Sequence, residues 1–274
     1  MSVRPEEYVA NLRRITRLSR GIVGEAIAAL APPQGSSGID LGCGIGVDTL
    51  LLAEAVGAGG RVIGVDPSPE MLAAARAAAA ASSHASSLEF VQGSIEEMPV
   101  GDGSADWVWC KDAFWPIPGA AEDPVAALRA LRRVLRPGGR VALLYWTSQA
   151  ILPGFPELEA SLGVHRTDSL PYLAGLAPDR HFLRAAAWME QAGLVGLRAR
   201  SLSAGHLGPL DGPTRDAVGC LFEVIFGELH DRIPDDDRAL LESITDPRSP
   251  GYLPLRDDYF ASLTYTLFVG VRPG

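Results

Sequence analysis

The sequence predicts an α/β fold: a doubly wound, seven-stranded sheet with a helical insertion. Three observations lead there. A short strand, a glycine turn and a helix start follow one another in Gly38-Ile-Asp-Leu-Gly-Cys-Gly-Ile-Gly-Val-Asp48. Apolar strand-like runs then alternate with helical stretches as far as Trp146. Two late segments, 195–204 and 261–272, alternate apolar and polar residues, and a long stretch separates them.

Each element has its own signal. Ile15, Leu18, Ile22, Ile27 and Leu30 recur at near-helical spacing, which predicts amphipathic helices over 5–31. Arg13, Arg14, Arg17 and Arg20 before an apolar run faintly suggest an export signal. Glu25 interrupts that run and Glu6 and Glu7 precede it, so helices are the better reading. Strands one to five fall near 37–41, 61–65, 88–92, 105–110 and 139–146. Helices fall near 47–56, 69–81 and 123–135; the second is almost all alanine, a strong helix former. An irregular, proline-bearing stretch is expected from Trp146 to about residue 179. His181 to Ala192 reads as a helix ended by Gly193. The domain is therefore expected over 1–207 and 259–274, with 208–258 as a helical insertion or cap. Within it Val218, Leu221, Phe222, Ile225, Phe226 and Leu229 share one helical face. That face needs a cover: the chain's own core, a second copy in a homodimer, or a substrate beneath a lid.

The chemistry starts at the glycine turn. Gly42, Gly44 and Gly46 clear side chains from the approach to a helix start, where free N–H groups face a ligand. Asp66 ends the next strand, Arg61-Val-Ile-Gly-Val-Asp66, and is placed to accept hydrogen bonds from both ribose hydroxyls of a nucleoside. A dinucleotide turn would put its third glycine at position 47, which is Val47. Asp40 precedes the first glycine, and a carboxylate there would repel a pyrophosphate. It suits a cationic ligand such as a sulfonium. The residues favour a nucleoside that carries positive charge.

On these residues the chain resembles the class I S-adenosylmethionine-dependent methyltransferases, in particular the branch that methylates small molecules. The resemblance covers about residues 35 to 147. Ile39-Asp-Leu-Gly-Cys-Gly-Ile-Gly46 looks like the family's first motif, and Val65-Asp66-Pro67-Ser68-Pro69-Glu70-Met71-Leu72 its second. Gln92-Gly93-Ser94-Ile95-Glu96-Glu97-Met98-Pro99 is similar to the loop that holds adenine. Ala105-Asp106-Trp107-Val108-Trp109-Cys110 looks like the fourth strand, and Leu131-Arg-Arg-Val-Leu-Arg-Pro-Gly-Gly-Arg140 like the approach to the fifth. The resemblance implies a Rossmann-like sheet, mostly parallel with an antiparallel last strand. It implies S-adenosyl-L-methionine as cofactor and S-adenosyl-L-homocysteine as product. The implied cofactor residues are Asp40, Gly42, Cys43, Gly44, Asp66, Pro67, Met71, Ser94, Ile95 and Lys111. Two departures stand out. The family usually has an acid at position 94, where this chain has Ser94, a weaker acceptor for the adenine amino group. Many relatives carry paired histidines where this chain has Trp115-Pro116.

Of 24 lysines and arginines, Lys111 is the single lysine. It sits just past strand four, at the end of the sheet where ligands bind. It is either an exposed strand-end lysine or a cation that meets the methionine carboxylate or an anionic substrate. Asp112, Phe114 and Trp115 are the candidate substrate contacts; aromatic faces attract cations, although such rings more often build a core. Candidate bases are Asp112, His165, Tyr172, His181, His206 and Tyr259, and none is singled out, so the catalytic residues are left unassigned. Three cysteines without a C-x-x-C pair point to a reducing, cytoplasmic setting and no structural zinc. A net charge of −9 disfavours nucleic acid as partner. No apolar run is long enough to span a membrane. Methyl transfer to a small molecule is the leading reading. The alternatives are another nucleoside-cofactor chemistry, such as aminopropyl transfer or dinucleotide redox work, and a cofactor-binding protein without catalysis.

Overall fold

The computed structural model describes residues 4–117, 121–169 and 174–274. Its frame is a seven-stranded sheet in the order β3-β2-β1-β4-β5-β7-β6. The strands are β1 (Ser37–Leu41), β2 (Arg61–Asp66), β3 (Leu88–Gln92), β4 (Ala105–Lys111), β5 (Leu135–Ala150), β6 (Val195–Leu207) and β7 (Phe260–Val271). The first five are parallel, and the sheet ends in antiparallel strands. The order reverses at β1, which places the carboxyl ends of β1 and β4 at the crevice where such sheets bind ligands.

Local chemistry fixes the elements that support this crevice. Gly38 pairs with Trp107, and a Cβ on Gly38 would lie 2.1 Å from the indole ring. The missing side chain is what lets the ring cross the strand, where its Nε1 donates to Ser36 Oγ at 2.9 Å. Helix α2 (Val47–Val56) is apolar almost all round and buries Leu52, Ala53 and Val56. Helix α3 (Pro69–Ala80) is capped by Ser68, whose hydroxyl accepts the Met71 N–H, with Pro69 at the first position. Helix α4 (Pro124–Val134) has the same design, with Asp123 accepting from Val125 and Ala126, and places Arg132 and Arg133 in its last turn.

Several elements differ from expectation. The N-terminus forms one helix, α1 (Pro5–Leu30), rather than several. Gly21 and Gly24 sit within it at exposed positions where an added Cβ would meet nothing, so neither breaks it. The stretch expected to be irregular contains helix α5 (Pro156–Ser169). Pro156 at its first position and Glu157 and Glu159 in its first turn suit a helix start, and Leu158 and Leu162 bury one face. Strand β5 begins at Leu135, before the predicted glycine pair, because a bulge between Ala105 and Trp107 absorbs the extra residues. The helix expected from His181 is shorter: a 3-10 turn, Phe182–Arg184, leads into α6 (Ala185–Gln191).

The chain divides into two compact units. One gathers Ile22–Trp146, Ala177–Leu202 and Tyr265–Gly274, and the other Met1–Gly21, Thr147–Leu176 and Ser203–Thr264. The second unit contains helices α7 (Gly212–Phe226) and α8 (Asp235–Thr245). The apolar face Val218, Leu221, Phe222, Ile225, Phe226 and Leu229 is buried, and α7 packs on α5 and on the 3-10 turn Leu253–Leu255. Arg14 pairs with Asp216 at 2.6 Å within the same unit. No helix among the described residues is long and apolar enough to cross a membrane.

Candidate functional site

The glycine turn after β1 is tied to β2: the N–H groups of Gly42 and Cys43 both donate to the Val65 carbonyl, at 2.8 and 3.0 Å. Gly42, Gly44 and Gly46 all have positive φ, at 72°, 51° and 79°. Their surroundings differ. A Cβ on Gly42 would lie 2.3 Å from Ala113 Cβ, and one on Gly46 would lie 3.0 Å from Ala75 Cβ. A Cβ on Gly44 would meet nothing within 4 Å. Two glycines therefore serve packing, and the middle one opens onto free space beside the start of α2.

Asp66 closes β2 next to this opening. It is 8% exposed; one carboxylate oxygen accepts the Gly44 N–H and the other the Ser68 N–H, each at 2.9 Å. A carboxylate offers about four lone-pair sites, so each oxygen can also accept from a ligand hydroxyl. Gln92 donates to the Pro67 carbonyl at 3.0 Å, which joins the ends of β2 and β3. Met71 and Ile95 are buried. The Ser94 hydroxyl accepts the Glu97 N–H at 3.1 Å and so shapes its own loop. Burial, and then the nearby Asp40 and Asp66, raise the Cys43 thiol pKa, so the sulfur stays neutral beside the turn.

Asp40 is not presented to a ligand as the sequence led us to expect. It is 2% exposed, and its Oδ2 accepts the Thr49 hydroxyl at 2.6 Å. Burial and then the neighbouring Asp48 push its carboxyl up to about 8, with the Thr49 hydrogen bond working against the rise. The sequence reading passed over Asp48, although an acid in the first turn of the helix after a glycine turn was a usable signal. Its Oδ2 accepts from Trp109 Nε1 at 3.2 Å, and its Oδ1 lies 3.4 Å from Lys111 Nζ. Lys111 is therefore not an exposed strand-end lysine: its side chain is 15% exposed. Burial opposes its charge, but Asp48, Asp112 and Asp40 outweigh it and raise the ammonium's pKa.

Asp112 follows at φ 49°, an uncommon conformation for a residue other than glycine. Its carboxylate accepts the Trp146 N–H at 2.8 Å and a hydrogen bond from Tyr265. Burial lifts its pKa to about 6, with Lys111 working against the rise. Phe114 is fully buried, and its carbonyl accepts the Tyr145 hydroxyl at 2.9 Å. Trp115 donates to the Asp112 carbonyl at 2.8 Å and packs on Tyr145 and Phe182, with ring centroids 5.3 and 5.5 Å away. Phe114 is a core residue, and Trp115 fixes the Asp112 backbone.

The other candidate bases are occupied or elsewhere. Tyr259 is buried, donates to the Ile151 carbonyl at 3.0 Å, and has its pKa raised by burial. His206 bonds the Leu18 carbonyl at 3.0 Å. The His181 ring stacks on Phe182 and its Nδ1 accepts the Leu183 N–H, with burial lowering its pKa. His165 lies on α5, half-buried. Tyr172 lies outside the described residues.

Comparison with known proteins bears on the same residues. A methyltransferase-domain family model matches residues 39–143. An uncharacterized 37.1 kDa protein in transposon Tn4556 of Streptomyces fradiae is 35% identical over 213 residues; the match spans 70% of this chain and 60% of that protein's length. Demethylmenaquinone methyltransferase from Staphylococcus aureus is 31% identical over 193 residues, 64% of this chain and 76% of the relative. Among solved structures, the Bacillus subtilis YcgJ protein has the same fold, with a TM-score of 0.56 at 19% identity over 93% of this chain and 99% of that one. The open turn at Gly44 and the acceptor Asp66 suit S-adenosylmethionine, the cofactor of the matched family. Sequence, sheet order and site geometry converge: the chain belongs to the class I S-adenosylmethionine-dependent methyltransferases.

Proposed function

We propose that this protein transfers a methyl group from S-adenosylmethionine to a small-molecule acceptor. One observation carries the reading. Gly44 opens onto free space, and the carboxylate that holds its N–H, Asp66, keeps acceptor capacity on both oxygens. A nucleoside laid in that opening has its ribose at Asp66 and its adenine toward Ser94 and Ile95, with Gly42, Cys43, Pro67 and Met71 around it. Asp40 supports the turn from behind through Thr49. The cofactor supplies a methyl group already activated on a sulfonium. The protein's work is to align acceptor and methyl and to exclude water. The net charge of −9 favours a small acceptor over nucleic acid, and the name of the staphylococcal relative points the same way. We propose further that the segment 208–258 serves as a cap during turnover.

Calorimetry with S-adenosylhomocysteine, decarboxylated S-adenosylmethionine and NAD tests the cofactor. The expected result is micromolar binding of S-adenosylhomocysteine, about −7 to −9 kcal/mol, and no competition by NAD. Methyl transfer from labelled cofactor to a panel of small acceptors tests catalysis. Tight NAD binding with none for S-adenosylhomocysteine overturns the reading.

A further inference from the structure

A cleft of about 390 Å³ lies between α1 and α2. Its lining includes Gly24, Ile27 and Ala28 of α1, Pro32 just after that helix, and Leu51 and Glu54 of α2. All of these belong to one compact unit. A recess of that size is in the range of small-ligand sites. Helix α2 starts at the glycine turn and reaches the cleft with its C-terminal half. The cleft is therefore at the other end of that helix from Gly44.

Its chemistry is one-sided. The walls are apolar apart from a single charged side chain, Glu54. That carboxylate is exposed and has neither a hydrogen bond nor an ion pair among the described residues. Both helices end beside the cleft, and neither has a basic residue in its last turn. A helix C-terminus carries partial negative charge. Arg140 answers part of it by donating to the Leu30 and Ala31 carbonyls at 2.6 and 3.0 Å, and Gln34 donates to the Ala55 carbonyl at 2.7 Å. No cation is among the lining residues. Gly24 adds a feature of shape. It is exposed inside α1, and a Cβ there would meet nothing within 4 Å. Glycine weakens a helix interior relative to alanine, and no neighbour in the fold requires it here. Its missing side chain leaves room in the cleft wall.

We propose that the cleft between α1 and α2 binds a small organic cation with an apolar body, an alkylammonium or arylammonium. The charge meets Glu54, and the body lies on Ile27, Ala28, Pro32 and Leu51. The site stands apart from the cofactor reading, because it uses neither Gly44 nor Asp66. A neutral molecule of the same shape fits the walls but leaves Glu54 unpaired, and an anion is repelled by it.

The test is an amide NMR titration of the full chain with hexylammonium, 1-hexanol and hexanoate. Hexylammonium should give saturable shifts at Gly24, Ala28, Leu51 and Ala55, with 1-hexanol weaker and hexanoate weakest. Glu54→Gln should weaken hexylammonium by about twofold to fivefold, the size of an exposed ion pair, and leave 1-hexanol unchanged. Gly24→Leu should fill the recess and remove binding of both. Its melting temperature should be equal to wild type or higher, since the new side chain meets no neighbour and the helix loses a glycine. Hexanoate binding as tightly as hexylammonium, shifts confined to other residues, or hexylammonium binding that survives Gly24→Leu overturns the proposal. Sedimentation is the second measurement. Wild-type dimers that Gly24→Leu disperses would give the cleft to a second copy of the chain and overturn it equally.

Discussion

The carboxyl ends of β1 and β2 lie side by side, and each strand brings an aspartate there, yet the two carboxyl groups meet opposite surroundings. Asp66 accepts two backbone N–H groups, from Gly44 and Ser68. Asp40 accepts one hydroxyl, from Thr49, and lies within reach of another acid, Asp48. Both are buried. The difference is in the neighbours: Asp66 is bonded by two backbone N–H groups, whereas at Asp40 burial and then the like charge of Asp48 favour the neutral acid. The first strand end therefore contributes a neutral brace and the second an acceptor for a ligand.

The largest effect that could break this comparison is at the turn between them. Gly44→Val should abolish S-adenosylhomocysteine binding, because its side chain would occupy the only turn position that opens onto free space. The φ of 51° adds strain of about 1–2 kcal/mol, which a thermal melt reads separately. Binding that survives the substitution would place the ligand elsewhere.

Asp66→Ala comes next. It should cost about 2–4 kcal/mol of S-adenosylhomocysteine binding. Part of that cost comes from freeing the Gly44 and Ser68 N–H groups, so Asp66→Asn, which still accepts, should cost less than Ala. Wild-type affinity in Asp66→Ala would falsify the ribose assignment.

The comparison sharpens with pH. Asp40 has a folded pKa of about 8, above its ordinary value of 3.8. A raised folded pKa means that the native state holds the proton longer than the unfolded chain. The stability Asp40 contributes is full below about pH 4 and is lost as pH rises through about 8. Asp40→Asn mimics the protonated acid, so the variant should gain on the wild type between pH 5 and pH 8 in chemical denaturation. Parallel stability curves over that range would mean that Asp40 is ionised. Asp112, raised to about 6, loses its contribution over the narrower window between about 4 and 6.

The smallest expected effect lies in the second unit. Hydrogen exchange in 208–258 should slow when S-adenosylhomocysteine and an acceptor are both bound. A trace that no ligand changes would leave this segment a packing or dimerisation element. Its apolar face already has α5 and the turn Leu253–Leu255 as cover, so a cap would act through its exposed side rather than its core.

The legible part of the site was the part written in consecutive residues. Gly42, Gly44, Gly46 and Asp66 announce a nucleoside turn because glycine adopts positive φ without strain and an acceptor suits a ribose. Sequence spacing did not separate the three glycines. Their neighbours Ala113 and Ala75 come from other elements. Helix α5 was missed because Pro153 and Pro156 make its start look irregular; in the fold Leu158 and Leu162 are buried and the helix packs on α7.

By itself the sequence determined the succession of strands along the chain, the glycine turn, the acid after β2 and the family, because each depends on residues near one another in the chain. Tertiary structure decided that burial and a neighbouring acid push the Asp40 carboxyl pKa upward, and which carboxylate pairs with Lys111. The Asp48–Lys111 contact spans 63 positions and the Trp109–Asp48 bond 61. Neither has a periodic signature, and the raised pKa of Asp40 follows from burial and from Asp48 brought against it. Electrostatics depends on distance in space and on exclusion of water, and only the folded sheet supplies both.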